Sequence, residues 1–371
     1  MDNKCLCVLF GILFGTHLGR FSATFSRNGR FRGVGCRIRR YEVGVVYSAA
    51  IRCNDREFLF RPNHNPNNPL LDASCPANAL DPANDITPIP SVINIIGASV
   101  GRAMKNHPIP LNWCEANVHH GHDGFTPGDD TERENVPHFF RDAHSLIARE
   151  INRLLARENH VYGERYRAEP CLDDPSAEQK LIYAMVNAVK DGQVEKVSQS
   201  PFFSTFRHLA FGEPLTFWYI DRTAWWKKGG PRPGNRPKDH MKWVTFDLAP
   251  LPGWESMSVH QRQTRFRHLV REAEEIAARE RQAEGRTVVG VSALRRLDPR
   301  DRPRDPKRSG KQPLCHAEDP ALRRAYKRDW REFLKAYRAA SIAYRAGDFD
   351  IEFPDGSFRP PLVTMYTASA L

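Results

Sequence analysis

The chain has 371 residues, 40% of them hydrophobic, which is enough to bury the core of one large domain or two ordinary ones. Its formal net charge of +11 favours a polyanionic partner, nucleic acid first, the other reading being a basic protein with no such partner. The eight cysteines, at 5, 7, 36, 53, 75, 114, 171 and 315, contain no C-x-x-C pair, which excludes a disulfide framework and a zinc ribbon and fits a reducing cytoplasm.

The opening segment, MDNKCLCVLFGILFGTHLGRF, has an apolar run too short to span a bilayer and no A-x-A cleavage site, with export as the alternative. The basic, Gly-rich FSRNGRFRGVGCRIRR follows, and residues 1–40 read as unstructured, either a flexible arm or sequence upstream of the true start. YEVGVVYSAAIRC (41–53) reads as a strand. A loop rich in Asn, Pro and Asp covers 63–87. SVINIIGASVGRAMKN (91–106) is a helix by its apolar spacing, with Val92, Ile95, Ile96, Ser99 and Val100 on one face. PIPLNWCEANVHH is a second strand running into a histidine cluster. After an acidic stretch at 126–136, an amphipathic helix is expected over 137–159, with Pro137 in its first turn and Phe140, Ala143, Ile147, Ile151 and Leu154 on its inner face.

VYGERYRAEPCL (161–172) reads as a strand, and SAEQKLIYAMVNAVKDGQV (176–194) as a helix opened by a Ser176/Gln179 capping box and closed by Gly192. FSTFRHLAFGEPLTFWYIDRTAWW (203–226) is aromatic and strand-like. Beyond it the chain turns basic and rich in Pro and Gly. Charged helices are expected at 258–285 and 319–347, separated by a disordered-looking basic linker at 297–313. No internal repeat is present. The order over 41–190 suits an α+β fold: a ferredoxin-like antiparallel sheet with helices on one face. The expected organisation is an N-terminal segment (1–40), a core domain (41–226) and a largely helical, partly disordered basic extension (227–371).

The chemistry centres on VHHGHDGF, residues 118–125. On a strand, His120 and His122 share a face and offer two imidazoles to a divalent metal. The other reading is a polar turn, since Gly121, Asp123 and Gly124 favour turns. Tyr183 and Asn187 stand at i and i+4 on one helix face. They read either as a nucleophile with an amide oxygen that orients a metal, or as a buried tyrosine hydrogen-bonded to Asn187.

In this order, the H-x-H strand, the FFRDAHSLIAREINRLL helix, GERYRAEP and the IYAMVNAVKDGQV helix resemble the single-tyrosine transposases, specifically the REP-associated branch of the HUH superfamily. That branch carries Y-x-x-x-N-P-V on its last helix. Tyr183, Asn187 and Val189 match, and Ala188 stands where proline is usual. IRCNDREFLFRP also resembles the family's start, and the ordered similarity runs from about residue 41 to 225.

The resemblance implies an HUH endonuclease-like core that cleaves and transfers single-stranded DNA, often folded as a hairpin. His120 and His122 would hold Mg²⁺ or Mn²⁺, with Asn187 as third ligand or its orienter. Tyr183 would attack the phosphodiester, forming a 5′-phosphotyrosine and freeing a 3′-hydroxyl. Arg52, Arg165, Arg167 and Lys190 would contact phosphates. The setting implied is the bacterial cytoplasm at the nucleoid, with no membrane and with a homodimer as one assembly. Gly121 departs from the pattern, because a bulky apolar residue usually separates the two histidines, and His119 offers a competing ligand. A catalytically impaired or domesticated hairpin-DNA-binding relative is therefore the second reading. A hydrolytic metalloenzyme built on the histidines ranks last, because no H-E-x-x-H accompanies them.

Overall fold

The computed structural model describes residues 23–24, 32–33, 38–63, 89–304 and 313–361. The chain divides into two units, Met1–Arg40 and Tyr41–Leu371. In the first, β1 (Ala23–Thr24) pairs antiparallel with β2 (Arg32–Gly33). The rest of residues 1–37, most of the 63–87 loop and about half of the 297–313 linker lie outside the described residues.

The second unit is built on a four-stranded sheet. Its elements follow as β3 (Val46–Arg52), α1 (Val92–Asn106), β4 (Leu111–Asn117), β5 (His120–Phe125), α2 (Asp130–Leu154) and β6 (Arg167–Cys171). The spatial order is β4-β5-β3-β6, and every neighbouring pair is antiparallel. Residue alternation along β3 splits the core. Tyr47, Ala49 and Ile51 join a cluster with Phe125 of β5, Val100 of α1, and Phe139, Phe140 and Ile147 of α2. Val46 joins a second cluster with Trp113, Leu181, Met185 and Phe266.

That second cluster corrects the expectation of helices on one face only. It draws on α3 (Asp174–Met185), the short α4 (Asn187–Lys190) and α5 (Phe206–Phe211), and the long α7 (Val259–Ala283). Val46 and Trp113 leave apolar surface on the sheet's other side, and burying such side chains is worth about 1.5–3 kcal/mol each. Helix periodicity states that a face is apolar, not which side of a sheet it covers.

The expected strand at 203–226 is also corrected. It contains α5, β7 (Leu215–Ile220) and α6 (Arg222–Lys227). Gly212, at φ 75°, ends α5 in the left-handed conformation. β7 pairs with β8 (Met241–Phe246) as a hairpin. This hairpin lies on α1, where Gly97 and Gly101 let it approach: a Cβ would sit 2.5 Å from the Phe217 ring and 2.9 Å from Val244. Asn94 fixes this packing by donating to the Trp218 carbonyl at 2.6 Å and accepting from its N–H at 3.1 Å.

Two helix starts move. α2 begins at Asp130, capped by Asp129, so Pro137 falls inside the helix instead of in its first turn. α3 begins at Asp174, with Asp173 Oδ1 accepting from Ser176 N at 3.0 Å; the Ser176 hydroxyl donates backwards to Asp173 O at 2.9 Å and does not cap. The charged helices form as expected, α7 with a Ser258/Gln261 capping box and α9 (Pro320–Arg345) after the short α8 (Val291–Arg295). Each outer strand of the four-stranded sheet is bridged at one point. Ser204 bridges to Glu115 on the β4 side, and His316 bridges in parallel to Cys171 on the β6 side.

Candidate active site

The β4–β5 hairpin turns at Val118–His119, so His120 opens a true strand and not a polar turn. β5 is paired on both sides through the histidines. His120 lies opposite Arg52 and Asn117, and His122 opposite Ala50 and Glu115. The two imidazoles share the face that α3 covers, with ring centres 5.0 Å apart. The Tyr183 ring comes 5.7 Å from His122.

α3 ends at Met185, and Val186 hinges it into α4, which starts at Asn187. This break sinks Asn187 while Tyr183 stays 43% exposed. Asn187 Oδ1 accepts from Asn117 Nδ2 at 2.8 Å and lies 3.1 Å from His120 Nε2. Asn117 Oδ1 in turn accepts from Val118 N at 2.6 Å. The amide on α4 is thereby aimed by β4 at the first histidine.

Charge and burial shape the groups. Burial holds the His120 imidazole well below its ordinary value, with His122 and His119 adding to the effect. Burial, then Lys180 and Arg52, push His122 down to about 4. Both rings are therefore neutral at pH 7, the state in which imidazole ligates metal. The Tyr183 hydroxyl is held above its usual range by burial and by Asp191, opposed by Arg52 and Asn187. Lys180 and Lys190 place their ammonium groups 5.6 Å from its ring centre.

Of the expected phosphate-binding residues, Arg52 and Lys190 stand in this site. Arg167 lies in the row of His122, through Ala50, and pairs with Glu164. Arg165 is exposed in the loop before β6 and joins none of these groups. His119 sits in the turn, its ring 4.7 Å from His120, with Nδ1 buried and unpartnered.

Sequence reasoning missed Asn117, Lys180 and Glu115. Period-two alternation back from the histidines, once the turn is placed, puts Trp113, Glu115 and Asn117 on their face. Glu115 is buried; burial holds its carboxyl well above the usual range, and Oε2 has no hydrogen-bond partner. Lys180 precedes Tyr183 by three residues, one helix turn.

No cluster of three or more His, Cys, Asp or Glu suited to a metal occurs among the described residues. The groups that could hold a metal here are instead two neutral imidazoles and an amide oxygen. Neighbouring ligands of an octahedral ion at about 2.1 Å lie about 3 Å apart. The 3.1 Å between His120 Nε2 and Asn187 Oδ1 fits that separation.

No family model matches the chain, and no curated protein matches it. Among solved structures, a REP-associated tyrosine transposase bound to a REP hairpin is similar at 18% identity and a TM-score of 0.32, over 49% of this chain and 90% of that one. No helix among the described residues is long and apolar enough to cross a membrane.

Proposed function

We propose that Tyr41–Leu371 carries a metal-dependent DNA strand transferase that cleaves single-stranded or hairpin DNA through Tyr183. The observation that carries this reading is the convergence of His120, His122, Asn187 and Tyr183 from two separate elements. The β-α-β-β-α-β order with its β4-β5-β3-β6 arrangement supports a ferredoxin-like, HUH endonuclease-type core.

His120, His122 and the Asn187 amide would hold Mg²⁺ or Mn²⁺, which when bound acts as a Lewis acid on phosphoryl oxygens. Tyr183 Oη attacks the phosphorus, the bond to the 3′-oxygen breaks, and that oxygen takes a proton from solvent and leaves as a hydroxyl. The phenol proton departs to solvent at the exposed edge of the ring. Arg52, Lys180 and Lys190 favour the charge that grows on the phenolic oxygen and on the phosphate. The 5′-phosphotyrosine keeps the energy of the phosphodiester, so rejoining needs no ATP. Gly121 leaves β5 paired on both sides, so the histidine strand forms despite that departure, and a hairpin-DNA-binding relative that does not cleave is the second reading.

The test is a denaturing gel of protein with labelled hairpin DNA and Mn²⁺. A covalent band is expected for the wild type and none for Tyr183→Phe. A band that survives Tyr183→Phe removes the tyrosine from its role, and no band in either supports a binding protein.

A further inference from the structure

α9 is two-sided in an unusual way. Its inner face carries Tyr326, Trp330, Phe333 and Ala340, all buried. The C-terminal segment folds back onto the same side: Tyr337 donates its hydroxyl to Phe358 O at 3.1 Å, and Phe353 meets Tyr337 and Tyr344 at 5.5 and 5.7 Å. The outer face carries Arg324, Arg328, Arg331, Lys335 and Arg338, every one exposed. At 100° per residue these five fall within about 80° of arc and span about 21 Å of helix. The helix's acids, Asp329 and Glu332, lie outside that arc. No ion pair engages any of the five among the described residues, although exposed arginines elsewhere, such as Arg236 and Arg265, have carboxylate partners.

A row of unpaired cations on a rigid rod is suited to a regular row of phosphates. We propose that the outer face of α9 binds the phosphate backbone of a DNA duplex, the stem of a hairpin substrate. This rests on the reading that the chain acts on hairpin DNA, and it assigns the stem a binding surface of its own. A single strand fits less well, because strand binders offer aromatic faces to unstacked bases, and every aromatic ring on α9 is turned to the inner side. A membrane surface fits less well too, since the inner face is already buried from Tyr326 to Ala340 and Ile342 stands as a lone large apolar side chain among the outer cations. Cations alone hold phosphates without register and without base reading.

The surface has a fixed relation to the sheet. Asp173 Oδ2 accepts from Glu318 N at 2.7 Å and Asp319 N at 3.2 Å, so the start of α9 is pinned to the start of α3. His316, just before it, lies 2.5 Å from Glu169 of β6. Tyr183 is ten residues along α3 from Asp173, about 15 Å of helix.

The test uses the full chain carrying Tyr183→Phe, so that DNA is bound and not cut. Arg324→Gln, Arg328→Gln, Arg331→Gln and Lys335→Gln are combined. Anisotropy titrations over a range of KCl compare a labelled hairpin with a ten-base-pair stem against an oligothymidine of equal length. The hairpin affinity is expected to fall about tenfold or more, and its salt slope by about 3–4, since each phosphate that the protein neutralises adds about 0.9 to the slope. Oligothymidine binding should change less than about twofold, and the matching Lys replacements of the three arginines should restore the hairpin slope. An unchanged slope, or equal weakening on both DNAs, overturns the proposal. So does a four-site variant that no longer binds phosphatidylserine vesicles but keeps the hairpin. A parent chain that binds neither DNA fails the functional reading itself, whereas a parent that binds beside an unaffected variant fails only the α9 assignment.

Discussion

Two glycines of β5 sit three residues apart and do opposite things. A Cβ at Gly124 would lie 2.1 Å from the Trp113 ring, so glycine is what lets that indole pack flat across the strand pair. A Cβ at Gly121 would meet only Glu115 O at 3.5 Å and Ile51 Cγ2 at 3.6 Å, ordinary van der Waals distances. Gly121 also lines a cavity of about 30 Å³ with Ile51, Phe60, Cys114, Asp123 and His144. A larger side chain at position 121 would project into that space. Gly121→Ala is therefore expected to stabilise by about 0.5–1 kcal/mol, by removing glycine's backbone freedom. Gly124→Ala is expected to cost about 1–3 kcal/mol from overpacking. Urea midpoints of the two variants check this, and a destabilisation at Gly121 as large as that at Gly124 would refute the open space. That His120 and His122 share a face was legible from period two once the segment is a strand, and that Tyr183 and Asn187 share one from the i, i+4 spacing, but their convergence across two elements was not. Nor was Asn117, because its role depends on an amide seventy residues away.

Among the elements, α1 follows its apolar spacing closely, α7 and α9 form where helices are expected, and the strand expected over 41–53 is confined to Val46–Arg52. The aromatic run at 203–226 misled because aromatic residues favour strands on average, while Gly212 in the left-handed conformation was the local signal of a helix end. α3 misled differently, since Asp173 caps it and also holds Glu318 and Asp319 from far along the chain. Burial raises the Asp173 carboxyl, but bonds from Ser176, Asp319 and Glu318 outweigh it and hold the group below its usual value. Asp173→Ala should cost about 1–2 kcal/mol as a lost cap. It should also speed hydrogen exchange over 315–321, with Asp173→Asn intermediate. Faster exchange confined to α3 would show that the aspartate is a cap and nothing more.

For the whole molecule, the site's neutral imidazoles set an acid limit. Burial, Arg52 and Arg56 push His119 down to about 4, and burial lowers His120 and His122 likewise. In the unfolded chain these rings titrate near 6.5. Below that pH the unfolded state binds more protons than the folded one, so stability falls as pH drops from about 6.5 towards 4. The slope is about 1.4 kcal/mol per pH unit for each such ring. Urea unfolding of metal-free protein at pH 7.5 and 5.0 measures it, and His119→Asn should flatten the slope by one ring's share. An identical slope in that variant would mean the His119 ring is freely protonated when folded.

The bridged sheet edges have a consequence during synthesis. An exposed edge strand is a template for another chain. β4 is bridged by Ser204 soon after it is made, but β6 waits for His316, far downstream. Until that segment leaves the ribosome, the β6 edge of the nascent chain lacks its bridge, and products ending before Cys315 lack it permanently. Such truncated chains are the form of this protein that should aggregate, through β6, while the full chain stays dispersed.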